Sequence, residues 1–184
     1  MPSLKIREKV DTMNGPEIKT ERLTLRPLLN SDAANIALFA GDKRVAMNLA
    51  VVPHPYPDGA AESYISYVRA AETKEVVWAM DKDGSLIGVI GITPKVGSTG
   101  NIGYWLAPQL WGGGLMSEAL RAVVDYARRQ GFKRLFADVH QGNEGSAKVL
   151  MKNEFSYIGE AESHSIPRGG MVKVWEYELE LGDE

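Results

Sequence analysis

Cysteine is absent from the 184-residue chain. That excludes a disulfide framework, a thiol nucleophile and a thiolate-bound zinc, and no other metal-ligand pattern takes their place. Long apolar runs are also missing, and a membrane-spanning helix needs about 20 such residues. The opening Met1-Pro2-Ser3-Leu4-Lys5 has no hydrophobic stretch that would read as a secretory signal. A strong charge of one sign is lacking too: the formal net charge is -3, which argues against direct nucleic-acid binding. These absences make a cytoplasmic location without membrane contact the default expectation. What remains is ordinary globular material, 44% hydrophobic and 24% charged, in a length that suits one core.

Residues 1–18 are polar and carry the turn signal Asn14-Gly15-Pro16, so they read as a loosely packed lead-in to a single domain over 19–184. A first strand is expected within 20–28. A helix follows from Ser31-Asp32 to Gly41, then a proline loop over 51–59, then a helix over 60–73. Strands are expected at 76–80 and 85–92, flanking the turn Asp81-Lys82-Asp83-Gly84, and at 102–106. Met116, Leu120, Val123 and Ala127 then recur at helical spacing, with Gly131 as the stop. A short central strand at 135–139, a helix over 144–153 and strands at 155–160 and 172–181 complete a mixed α/β pattern. There is no internal repeat.

The most informative segment is Gln109-Leu110-Trp111-Gly112-Gly113-Gly114, between a strand and the amphipathic helix that begins near Leu115. Glycines without Cβ atoms let several N–H groups converge on one anion, and the helix N-terminus adds unpaired donors and a positive dipole end. A pyrophosphate suits such a concavity; a tight turn dictated by packing is the alternative. No Gly-Lys-Ser or Gly-Lys-Thr follows, which excludes a triphosphate loop, and the spacing is not that of a dinucleotide fingerprint.

The run Tyr104-Trp105-Leu106-Ala107-Pro108-Gln109-Leu110-Trp111-Gly112-Gly113-Gly114-Leu115-Met116-Ser117-Glu118-Ala119-Leu120 resembles the cofactor motif of the GCN5-related N-acetyltransferases (GNAT). It looks most like the branch that acetylates ribosomal-protein N-termini. Asn143-Glu144-Gly145-Ser146 with Val149-Leu150-Met151-Lys152 and Phe155 agrees, as does the opening Thr20-Glu21-Arg22-Leu23-Thr24-Leu25-Arg26-Pro27. The resemblance spans roughly residues 20–160. It implies the acyl-CoA N-acyltransferase fold: a largely antiparallel central sheet, a splayed parallel strand pair and flanking helices.

It also implies acetyl-CoA as cofactor. Pantetheine would pair with the backbone of Trp105 and Leu106, and the pyrophosphate would lie on the N–H groups of Gln109, Leu110, Trp111, Gly112, Gly113 and Gly114, with Leu115 and Met116 opening the helix. Asn143 would face the cofactor, or cap the following helix, or both. Lys148 and Lys152 are candidates to neutralise phosphates, against the plainer reading of solvated surface lysines.

Transfer of acetyl from a thioester to an amine needs a neutral amine, a polarised carbonyl and a partner for the departing sulfur. Direct attack needs no covalent enzyme intermediate. By the resemblance, Ser146 stands near the sulfur with Asn143, and the Leu106 N–H polarises the carbonyl; alternatively Ser146 only bonds backbone in the first helical turn. The base is the open point. Family members frequently carry a glutamate where this chain has Asn101, which leaves Glu160, His54 and His140 as candidates.

A second departure is Asn153-Glu154 before Phe155, where the family usually has a glycine; a left-handed Asn153 is the expectation. The acceptor wall is expected from the proline loop, with His54, Tyr56 and Asp58, and from the first two helices. Trp78 and Trp175 could line the cleft or fill the core. The partner is an amine-bearing substrate, a protein N-terminus first and a small molecule second. A non-catalytic CoA sensor is the third reading. The assembly is expected to be a monomer or a homodimer.

Overall fold

The computed structural model describes residues 15–70 and 72–182. In chain order the elements are β1 (Ile18–Lys19), β2 (Thr24–Arg26), α1 (Ala33–Ala40), α2 (Lys43–Ala46), α3 (Ala60–Arg69), β3 (Val76–Lys82), β4 (Ser85–Lys95) and β5 (Thr99–Leu106). Then come α4 (Leu115–Arg129), β6 (Arg134–His140), α5 (Glu144–Lys152), β7 (Ser156–Ser165) and β8 (Gly170–Glu180). The eight strands form one sheet in the order β1-β2-β3-β4-β5-β6-β8-β7. Every pairing is antiparallel except β5 with β6. The mixed sheet with a parallel pair and flanking helices is the architecture that the family resemblance implies.

Period-two alternation gives each strand two apolar faces, so the sheet buries a core on both sides. On one face α4 and α5 pack through Met116, Leu120, Val123, Ala127 and Leu150 against Ile90, Ile92, Leu135 and Val139. On the other, α1 and α3 pack through Ile36, Ile65 and Val68 against Val77, Ala79 and Val89. Trp78 is fully buried and meets Tyr126 edge-on, with ring centroids 5.0 Å apart, so it is a core residue.

Arg26 ties the two ends of this second layer together. Its guanidinium forks onto both oxygens of Asp32 at 2.9 Å, and its Nε donates to Asp81 at 2.7 Å. All three side chains are largely buried, so removing Arg26 would leave two carboxylates without their counter-charge.

Three expectations change. Residues 1–14 of the expected lead-in lie outside the described residues, but 15–18 are built into the domain. Trp78 Nε1 donates to the Pro16 carbonyl at 2.9 Å, and Ile18 already pairs with Leu25. The helix expected over 60–73 ends at Arg69, where Ala70 turns extended. The exit of α5 also differs. Asn153 stays outside the left-handed region, at φ = -105°, and it is Glu154 that takes φ = 68°.

The reason is a hydrogen-bonded helix end. Phe155 N–H donates to Leu150 O and Glu154 N–H to Met151 O, each at 3.1 Å, the paired bonds that put the residue between them in the left-handed region. Asn153 is buried instead, its amide donating to Ser117 Oγ at 3.0 Å and Val149 O at 2.9 Å. A side chain at Glu154 works against this conformation by about 1 kcal/mol. Glu154→Gly should therefore stabilise the protein by about 1 kcal/mol and raise Tm by about 3 °C, read by thermal denaturation. An unchanged or lowered Tm would contradict this account.

Candidate active site

The parallel pair defines the site. β5 and β6 are in register only at Thr99 with Arg134, Gly100 with Leu135 and Asn101 with Phe136. Beyond Asn101 they diverge, while β5 stays paired with β4 to Leu106 and β6 with β8 to His140. Between them opens a cleft of about 520 Å³. Trp105, Leu106, Leu110, Trp111, Gly112, Gly114, Leu115, Met116, Asn143, Ser146 and Lys152 all line it, as does Lys148. Gln109 and Gly113 lie outside the lining.

Antiparallel alternation says which backbone groups of β5 face the opening. Ala107 N–H donates to Ile87 O, so Ala107, Trp105 and Gly103 spend their backbone groups on β4. Leu106 and Tyr104 therefore point theirs into the cleft. The Leu106 carbonyl is taken by Trp111 Nε1 at 2.8 Å, which leaves the Leu106 N–H directed at the opening. Of the two residues expected to pair with a linear amide ligand, Leu106 presents its backbone and Trp105 presents its side chain.

Side chains divide by face. Toward α4 and α5 stand Tyr104, Ser146 and Asn143. Tyr104 Oη lies 2.9 Å from Ser146 Oγ and donates to the Ser146 carbonyl at 3.2 Å. Burial pushes the Tyr104 phenol up to about 12, so it is a proton donor near neutral pH. Asn143 is the helix cap, its Oδ1 accepting from Ser146 N–H at 3.3 Å, and it also lines the cleft. Nothing in the sequence pattern singles out Tyr104, although it stands two residues before Leu106 in the glycine-turn motif.

Toward α1 and α3 stand Asn101, Trp105, Asp138 and His140. The wall above them is not the proline loop. His54, Tyr56 and Asp58 are outside the lining, and Tyr56 packs into the second core. The wall is α2 and its exit, where Arg44, Val45, Asn48, Leu49 and Ala50 line the cleft. The tip of the β7–β8 hairpin locks onto this segment: Ile166 N–H donates to Ala50 O at 2.8 Å and Arg168 Nε to Met47 O at 2.7 Å. No local periodicity marked so short a helix, and a contact spanning 121 residues leaves no sequence trace.

The base candidates separate clearly. Glu160 is paired in register with Trp175, and neither residue lines the cleft; Trp175 flanks a separate surface hollow beside α5. His140 lines the cleft and is 5% exposed. Its Nδ1 donates to Met47 O at 3.1 Å, which leaves Nε2 without a partner among the described residues. Burial, opposed by the Met47 bond and reinforced by Arg168, holds its pKa below the ordinary imidazole value.

The glycine turn has the build of an anion cradle. Gly112 and Gly114 both take φ = 80°, a conformation that disfavours side chains, and nothing stands within 4 Å of a Cβ placed on Gly112. Gly114 is the N-cap of α4, so the first N–H groups of that 15-residue helix face the turn. Arg22 braces it from outside, donating to Gly113 O at 2.8 Å and to Glu118 at 2.7 Å. Thr20 and the Arg22 N–H complete the grip on Glu118. These donors hold its carboxyl below the usual range although burial opposes them. With the Gly113 carbonyl turned away, the neighbouring N–H groups are left for a ligand, and the cradle fits a pyrophosphate with pantetheine along Leu106. Arg22→Ala should raise the Kd for CoA about fivefold by calorimetry, since one charged hydrogen bond holds the turn. Unchanged affinity would rule the brace out.

The acetyltransferase (GNAT) domain family matches residues 22–156. The uncharacterized N-acetyltransferase YoaA of Bacillus subtilis is 29% identical over 168 residues, covering 84% of this chain and 90% of that protein. The ribosomal-protein-serine acetyltransferase of Escherichia coli is 34% identical over 81 residues, 42% of this chain and 45% of that protein. Among solved structures, the microcin C7 self-immunity acetyltransferase MccE, in complex with acetyl-CoA and AMP, superposes with a TM-score of 0.76 at 18% identity. That match covers 87% of this chain and 93% of MccE. With the family matched across most of its length and the split sheet in place, the chain belongs to the GNAT family and is an acetyl-CoA-dependent N-acetyltransferase.

Proposed function

We propose that the acceptor is the α-amine of a peptide or protein N-terminus, entering from the α1–α3 face while acetyl-CoA lies on the α4–α5 face. Acetyl-CoA supplies the activated acetyl group; the residues of this chain orient it and handle protons. One observation carries the choice of acceptor. Among the described residues that line the cleft there is a single carboxylate, Asp138, against the cations Arg44, Lys148 and Lys152. A polyamine or aminoglycoside, with several ammonium groups, would need several carboxylates. A peptide N-terminus needs one counter-charge for its amine and neutral groups for its amides, and Asn48, Asn101 and Ser163 provide those.

The amine's own chemistry agrees. An α-amine titrates near 7.7–8.0 and a lysine near 10.4, so at neutral pH far more of the α-amine is already the nucleophilic form. A small amine remains the second reading, favoured by the hairpin bridge at Met47 and Ala50, which closes one side of the acceptor space.

On the opposite face, Ser146 with Tyr104 behind it is the group we assign to the departing sulfur. A hydroxyl that donates to a developing thiolate contributes about 2 kcal/mol, a factor of roughly 30. Ser146→Ala should therefore lower kcat about 30-fold. Tyr104→Phe should add little in that background, because both act through one shared hydrogen bond. Thiol release from acetyl-CoA, run against N-terminal peptides, lysine peptides, polyamines and aminoglycosides, tests the acceptor. The N-terminal peptides should show the highest kcat/KM by at least tenfold; a polyamine or aminoglycoside in that place would overturn the assignment.

A further inference from the structure

Asn101 stands where β5 and β6 part and offers only an amide, yet the amine must still lose a proton. We infer that His140, at the end of β6, takes that proton through Nε2. The inference rests on the acetyl-transfer reading and deepens it.

The geometry begins with the strand register. Carried past its last pair, Asn101 with Phe136, the parallel alignment sets Gly103 opposite Asp138 and Trp105 opposite His140, now across the cleft. All four lie on the acceptor face, whereas Tyr104 and Ser146 lie on the other. An amine that approaches from the acceptor face reaches the carbonyl carbon beside His140, and the sulfur departs toward Ser146. Asn101 lies at the point where the strands part, but its amide accepts no proton from an ammonium at neutral pH.

The tautomer is fixed by the fold. Nδ1–H donates to Met47 O at 3.1 Å, and that carbonyl is itself held by Arg168 Nε at 2.7 Å. The main chain at His140 is anchored too, because Asn143 N–H donates to the His140 carbonyl at 3.0 Å. Nε2 is thus the lone-pair nitrogen, on a ring that cannot turn without breaking the Met47 bond. This resembles the way a general base is oriented by a partner on its far nitrogen, with a backbone carbonyl in the carboxylate's place.

The charges around the ring are mixed. Asp138 precedes it by two residues on the same face, with Glu176 opposite Asp138 on β8. Arg168 reaches in from the hairpin tip and Arg44 lines the cleft from α2. Asp138 favours the imidazolium and Arg168 disfavours it, and burial outweighs both, so the ring is neutral near pH 7 and ready to accept. Asp138 is also placed to hold the incoming ammonium.

The step balances as follows. One ammonium proton passes to Nε2, the amine nitrogen bonds to the carbonyl carbon, and the C–S bond breaks. The second nitrogen proton ends on sulfur as the thiol, and His140 returns its proton to water.

The alternative is that His140 only ties β6 to α2. His140→Asn separates the two, since an asparagine amide stands near the former Nδ1 and still donates to Met47 O. With an N-terminal peptide as acceptor, kcat/KM of H140N should fall about 100-fold at pH 7. The deficit should narrow toward pH 9, where the amine arrives already neutral, and the affinity for CoA should be unchanged. Nitrogen-15 NMR of the free wild-type protein should show Nδ1 protonated and Nε2 bare, with titration below the ordinary imidazole value. If H140N stays within threefold of wild type from pH 6 to 9, or if Nε2 carries the proton, the inference fails while acetyl transfer stands. If the wild type acetylates no amine in the panel, the acetyl-transfer reading falls and the base with it.

Discussion

The whole site depends on β5 and β6 ceasing to pair. Three residue pairs hold them parallel, and then each strand keeps only its outer neighbour, β4 or β8. An edge that loses its ladder exposes N–H and C=O groups that must find partners. Trp111 takes one of them, the Leu106 carbonyl, and the rest face a cleft that suits a chain of amides. Because the opening lies inside the sheet, it connects the two faces. A ligand on one face and an acceptor on the other can meet there without either crossing the core.

A split sheet needs bracing from outside the split, and the braces come from distant segments. Thr20 and Arg22 grip Glu118 and the Gly113 carbonyl, fixing the start of α4 to the edge of the sheet. Arg26 joins Asp32 and Asp81, fixing the start of the α1 layer to β3. The β7–β8 hairpin spans the far side, its tip bonded to Met47 and Ala50. None of these contacts is helical or sheet ladder.

Much of the cleft lining on the α4–α5 face was legible in the sequence because it is local. A strand, a glycine turn and an amphipathic helix follow one another over 17 residues, so their chemistry is written in consecutive letters. Asn143 and Ser146 share a helix start and were legible for the same reason. The acceptor side was not. Its wall, residues 44–50, has too few residues to show a period, and the contacts that make it a wall come from 116 to 121 positions away. The proline loop drew attention by composition, yet composition says only that 51–59 is irregular, not which way it faces. The exit of α5 shows the same limit on a small scale. Asn153 looked like the left-handed residue by type, but the hydrogen bonds of Phe155 and Glu154 choose the position, and burial against Ser117 claims Asn153.

The position of Asn101 follows from this division. A glutamate there would sit at the apex of the split, where the last parallel pair closes the cleft. Its charge would then need solvation from a site already short of backbone partners. With asparagine at the apex, the titratable groups that line this face are Asp138 and His140, farther along β6 from the point where the strands part. A carboxylate at the apex would act on any amine pushed deep into the cleft, whereas groups along the face act on one held at its rim. The asparagine therefore bears on proton transfer and on how far an acceptor must penetrate, and under the proposed reading both suit an amine at the end of an extended chain.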